Sequence, residues 1–143
     1  EYPNLIAGIA SLAGATFKNP DHWTPSEPVN ILQIHGTADF AIRYNGGSTG
    51  LSPYPGAMQT IQTWGTYNGC ENLISDETAS LDLDFNVAGL DTTVTKYMEY
   101  PQGGAVELWT INDGGHMPII TVGQNISEFP VRVIEWLLDH PKT

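Results

Sequence analysis

The sequence predicts an α/β domain built from parallel strands with flanking helices and an extra hairpin. Three observations predict it. Short apolar runs of strand length occupy 5–13, 29–35 and 106–111, helical spacing recurs over 56–67 and 127–140, and the two kinds of segment alternate. With 143 residues and 41% hydrophobic content the chain is long and apolar enough for one core, and 1–143 is expected to be a single domain without repeats or linkers.

Each element has its own local reason. Residues 5–13 (LIAGIASLA), ended by Gly14, suit a buried parallel strand. Residues 16–28 contain Pro20, Pro25 and Pro28 and are expected to form a loop that carries His22 and Trp23. The run 29–35, closed by Gly36, predicts a second buried strand, and the Gly-, Ser-, Asn- and Pro-rich stretch 39–55 predicts a loop. Pro55 suits the first turn of a helix over 56–67, Ala57, Ile61 and Trp64 share one face, and Gly69 suits its left-handed end. Residues 81–87 and 92–100 flank the turn-like AGLD and predict an antiparallel pair. The run 106–111 (VELWTI) predicts a further strand. The closing helix begins near Ser127 as cap, tolerates Pro130 in its first turn, and places Phe129, Val133, Trp136 and Leu137 at helical spacing. His140, near its end, complements the helix dipole.

Charge narrows the partners. Five Lys plus Arg against sixteen Asp plus Glu give −11, which repels phosphate backbones and anionic lipid surfaces, so neither nucleic acid nor membrane is an expected partner. No stretch approaches the roughly 20 apolar residues of a membrane span. A hydrated anionic surface suits a secreted or periplasmic protein. Cys70 is the only cysteine, so no disulfide forms within the chain. The start, EYPN, carries neither an initiator Met nor signal-peptide features and suggests a cut through a longer chain.

Chemistry concentrates at two strand ends. Asp39 follows ILQIHGTA and His116 follows LWTINDGG, and in an open sheet reactive groups gather beyond the carboxyl ends of the strands. An Asp carboxylate can hold an imidazole in the tautomer whose other nitrogen accepts a serine proton. Gly36, Gly114 and Gly115 let the backbone turn sharply at both places. Taken singly, Asp39 is also good turn chemistry and His116 an ordinary loop histidine, but their joint placement favours function. A literal Gly-x-Ser-x-Gly occurs at 46–50, yet Ser48 follows a poor strand, precedes a Pro-rich stretch and comes after Asp39, so it is read as a false match to a nucleophile elbow. Trp23, Tyr44 and Tyr54 are candidate substrate-binding residues in loops near the expected crevice. Asp82, Asp84 and Asp91 fit no EF-hand spacing and are expected to be solvated carboxylates. Neither a Cys pair nor a close His pair supports zinc, so no metal and no cofactor is expected. Asn125-Ile126-Ser127 is a glycosylation sequon that leads into the helix cap.

The segments ILQIHGTAD (31–39), WGTYNGC (64–70) and LWTINDGGH (108–116), with the closing VIEWLLDHP, resemble the polyhydroxybutyrate depolymerase and feruloyl esterase group of α/β-hydrolases over nearly the whole chain. The resemblance implies that the chain is the C-terminal half of an α/β-hydrolase catalytic domain, that Asp39 is the triad acid and His116 the base, and that His35 is a packed strand-end residue. It places the nucleophilic serine and the oxyanion hole upstream of Glu1, so the fragment alone is expected to be inactive and its partner is the missing N-terminal half.

The expected activity is therefore serine carboxylic-ester hydrolysis through an acyl-enzyme, on a small-molecule or polysaccharide-linked feruloyl, acetyl or other short-chain ester. Met117-Pro118 after His116 departs from the continuation expected of a polyester depolymerase and tilts the reading towards a carbohydrate-linked or small ester. The rival readings are a polyester depolymerase, a non-catalytic binding module on the same scaffold, and a fragment that folds only with a complementary chain because its first strand presents an unpaired edge.

Overall fold

The computed structural model describes residues 5–18 and 25–142, whose elements follow as β1 (Gly8–Leu12), β2 (Asn30–Gly36), β3 (Gly47–Thr49), β4 (Ser52–Tyr54), α1 (Ala57–Asn68), β5 (Glu71–Ser75), β6 (Thr92–Glu99), β7 (Val106–Ile111), β8 (Thr121–Val122), β9 (Asn125–Ile126) and α2 (Phe129–Asp139). Five strands form one sheet in the order β1-β2-β7-β6-β5, and β3–β4 and β8–β9 are separate hairpins.

This arrangement corrects the expected fold class. Only β1, β2 and β7 run parallel, whereas β6 is antiparallel to β7 and β5 is antiparallel to β6. Strands predominate over two short helices among the described residues, so the architecture is a mixed, strand-rich sheet and not the parallel C-terminal part of an α/β-hydrolase fold. The physical reason lies in the chain returns. Gly69, left-handed at φ 72°, ends α1 and turns the chain straight into β5, and β6 then comes back beside it. Local periodicity marks a strand but not the direction of its neighbour.

Two strand predictions also change. β1 is an edge strand, not a buried one, with Ile9 38% and the preceding Leu5 75% exposed. Residues 81–87 form no strand. Leu81 makes a single bridge to Thr92, and the alternation Leu81, Leu83, Phe85 serves to bury Leu83 in an irregular segment.

The core explains why the remaining elements sit where they do. Ile31, Val106 and Leu108 point from the sheet onto Ala57 and Ile61 of α1, while Leu32, Ile34, Trp109 and Ile111 point the other way onto Trp136 of α2. Burying each such aliphatic chain contributes about 2 kcal/mol. β2 is buried along its length because its polar residues find internal partners: Asn30 Nδ2 donates to the carbonyls of Ala7 and His140 at 2.8 and 2.9 Å, and Gln33 Nε2 donates to Gly14 O at 2.8 Å. Near the start of α2, Ser127 Oγ accepts from Phe129 N at 3.3 Å. At its end His140 Nδ1 lies 2.7 Å from the Trp136 carbonyl, with the His140 ring stacked on Trp136. Pro55 lies just before α1, whose N-cap is Gly56. Among the described residues no helix is long and apolar enough to cross a membrane.

Candidate active site

The parallel register of β2 and β7 pairs His35 with Thr110 and Gly36 with Ile111, so the loops that follow these strands leave the sheet side by side. They are stitched together at once: Thr37 N donates to Ile111 O at 2.9 Å, Ala38 N to Gly114 O at 2.9 Å, and Asp113 N to Thr37 Oγ1 at 2.8 Å. Gly36 makes this approach possible, because a Cβ there would lie 2.2 Å from Gly114 O and 2.4 Å from Gly115 O.

Asp39 and His116 meet at this junction, as the sequence suggested. Asp39 is 4% exposed, and its Oδ2 lies 2.8 Å from His116 Nδ1. Its Oδ1 accepts from Ala41 N at 2.8 Å and Ile42 N at 2.9 Å. Burial pushes the Asp39 carboxyl up, but hydrogen bonds from His116, Ile42 and Ala41 together outweigh it and hold the group below its ordinary range. Asp39 is therefore an anion at neutral pH. A carboxylate only accepts, so the His116 proton sits on Nδ1 and Nε2 keeps its lone pair. The His116 side chain is 44% exposed and accessible to a reacting hydroxyl.

A second histidine shares the same carboxylate, which the sequence reading missed when it assigned His35 to packing alone. His35 is 1% exposed, and its Nε2 lies 2.8 Å from Ile42 O and 3.3 Å from Asp39 Oδ2. Because a carbonyl only accepts, Nε2 carries the proton. The buried Nδ1 has no partner, and Tyr44 packs edge-on against the ring at 5.6 Å. The spacing of four residues in HGTAD was the signal available for this contact.

The other predicted residues are placed differently. Tyr44 is half-buried, with its hydroxyl 2.8 Å from Thr110 Oγ1, and the Tyr54 hydroxyl, at the end of β4, accepts Arg43 N at 3.0 Å from the loop before β3. Trp23 lies outside the described residues. Ser48 occupies β3, an exposed strand of an antiparallel hairpin between Gly46 at φ 88° and Gly50 at φ 61°, and not a strand-to-helix turn. Cys70 is no substitute nucleophile: burial pushes its thiol up to about 11, and Sγ donates to Gly104 O at 3.2 Å. Asp84 and Asp91 are each 1% exposed, which corrects the expectation of solvated carboxylates.

Among the described residues no group of three or more His, Cys, Asp or Glu is placed to hold a metal ion. A cavity of about 320 Å³ opens between β1 and α1, lined by Ile9, Ser11, Gln33, Thr60 and Trp64 among others, and neither Asp39 nor His116 lines it. This hollow and the Asp39–His116 contact are thus in different places. Compared with known proteins, the chain matches no family model and finds no significant sequence match among curated proteins.

Proposed function

We propose that the chain supplies the acid and base of a serine carboxylic-ester hydrolase, with His116 as general base and Asp39 as the group that orients it. The observation that carries this reading is the 2.8 Å contact between a buried carboxylate and the Nδ1 of an accessible imidazole. In the reaction a serine hydroxyl gives its proton to His116 Nε2 as it attacks the ester carbonyl. Asp39 stabilises the imidazolium, and the same proton then passes to the leaving alcohol. Water repeats the sequence to release the acid.

Among the described residues no hydroxyl hydrogen-bonds the His116 ring, and in this reading the nucleophilic serine belongs to a preceding stretch of the same enzyme. Among the described residues no strand pairs with the outer edge of β1, and this edge with the exposed Leu5, Ile6 and Ile9 supports a chain neighbour on that side. The resemblance of the segments around Asp39 and His116 to the feruloyl esterase and polyhydroxybutyrate depolymerase group supports a feruloyl, acetyl or other short-chain ester as substrate. The acidic surface supports a secreted or periplasmic setting.

A fluorophosphonate probe tests the reading. Applied to protein that hydrolyses nitrophenyl acetate, it labels one serine in the wild type and loses that label in His116→Ala. Hydrolysis without any labelled serine, or labelling that ignores His116, contradicts the proposal.

A further inference from the structure

The irregular segment 81–92 holds two buried carboxylates, Asp84 and Asp91, that take no part in the Asp39–His116 contact. Asp91 accepts Leu83 N at 3.2 and 3.1 Å on its two oxygens, Asp84 N at 2.7 Å and the Thr92 hydroxyl, and so fixes the shape of the segment. Asp84 instead reaches beyond the segment to the chain that follows β7. Its Oδ1 accepts Asn86 N at 2.9 Å and also Ile119 N at 2.9 Å, while Phe85 N donates to Ile119 O at 3.0 Å. Ile119 is thereby held by both of its backbone groups. At the opposite end, Asn112 N and Nδ2 donate to the Asp91 carbonyl at 2.9 and 2.8 Å.

Asn112 and Ile119 bracket the loop that carries His116. That loop has little packing of its own, since His116 is exposed and Met117 is 68% exposed. Segments with few buried contacts open easily unless hydrogen bonds close them, and bonds to a buried carboxylate are the stronger kind. We propose that Asp84, through its carboxylate, and Asp91, through its main-chain carbonyl in a segment that its carboxylate shapes, are positioning residues that fix the two ends of loop 112–119 and so set the His116 ring against Asp39. The inference concerns the same site as the proposed function but rests on the Asp39–His116 geometry, not on ester hydrolysis.

Nuclear magnetic resonance of the histidine-labelled chain tests it without any turnover assay. The Nδ1–H of His116, held on Asp39, is expected to give a downfield proton signal in the wild type, and a folded wild type without one overturns the proposal. Asp84→Ala is expected to abolish or broaden that signal and to speed amide exchange at His116 and Met117 by roughly tenfold or more. Asp84→Asn keeps an oxygen that accepts the same two bonds and is expected to retain the signal. A folded Asp84→Ala with the wild-type signal and exchange overturns the proposal, as does a folded Asp84→Asn that loses the signal. If Asp84→Ala does not fold, Asn112→Ala, which removes only the side-chain bond to Asp91 O, is expected to weaken the signal, and an unchanged signal there overturns the proposal equally.

Discussion

Asp39 Oδ2 and His116 Nδ1 stand 2.8 Å apart although 77 positions separate them in sequence. The adjacency of β2 and β7 makes the contact possible, and the bonds from Ala41 and Ile42 keep the carboxylate from turning away. One buried anion thus dictates which imidazole nitrogen is free.

Asp39→Asn keeps the shape and removes the charge, so His116 loses its imposed tautomer. On the proposed function, kcat for ester hydrolysis is expected to fall by about four orders of magnitude, the loss that Asp→Asn causes in a Ser-His-Asp triad. Steady-state hydrolysis of an aryl ester, beside circular dichroism to confirm the fold, checks this.

The same substitution predicts a pH dependence of stability. The Asp39 carboxyl is held below its unfolded value, about 3.9. Its contribution is therefore complete above that value and is lost as pH falls through the lower folded one. Urea unfolding should show wild type clearly more stable than Asp39→Asn at pH 6, with the gap closing towards pH 2. A gap that widens on acidification would contradict the assignment.

Gly36→Ala drives a methyl group into the backbone carbonyls of Gly114 and Gly115. The loops must part, which is expected to cost about 2 kcal/mol or more in stability and to lengthen the Asp39–His116 contact. Thermal unfolding and the downfield His116 proton report the two effects separately.

His35→Leu removes the donor that serves Ile42 O and flanks Asp39 Oδ2. Leaving that carbonyl unpaired is expected to cost about 1 to 3 kcal/mol. Denaturant unfolding measures the loss, and an unaltered midpoint would show that His35 does no more than fill space.

Cys70 should resist alkylation. With its thiol pushed up to about 11 by burial, iodoacetamide at pH 8 is expected to label it far more slowly than a free thiol. Mass spectrometry of the native and the urea-unfolded protein gives the comparison, and equal rates would contradict it.

The parts of this molecule that were legible in the sequence are those whose signal is local. β2 and β7 announce themselves as apolar runs, α1 as a helical stripe ending in Gly69, and α2 as the Phe129, Val133, Trp136 face. Asp39 and His116 were legible because each follows such a strand. Strand direction was not, since ENLIS in β5 has no feature that says it will pair antiparallel at the far edge. LDLDF over 81–85 imitates a strand because its leucines alternate, yet Asp84 turns inward to hold Ile119. The second contact to Asp39 from His35 and the clamp from Asp84 depend on partners that only the folded chain brings near.

The central claim is that His116, aimed by Asp39, is the base for ester hydrolysis. The most direct measurement is kcat/KM for an aryl ester, wild type against His116→Ala, in protein that carries the proposed hydrolase activity, with unfolding midpoints matched. The account predicts a fall of at least about a thousandfold with the fold intact. Unchanged turnover in a folded His116→Ala protein would contradict it.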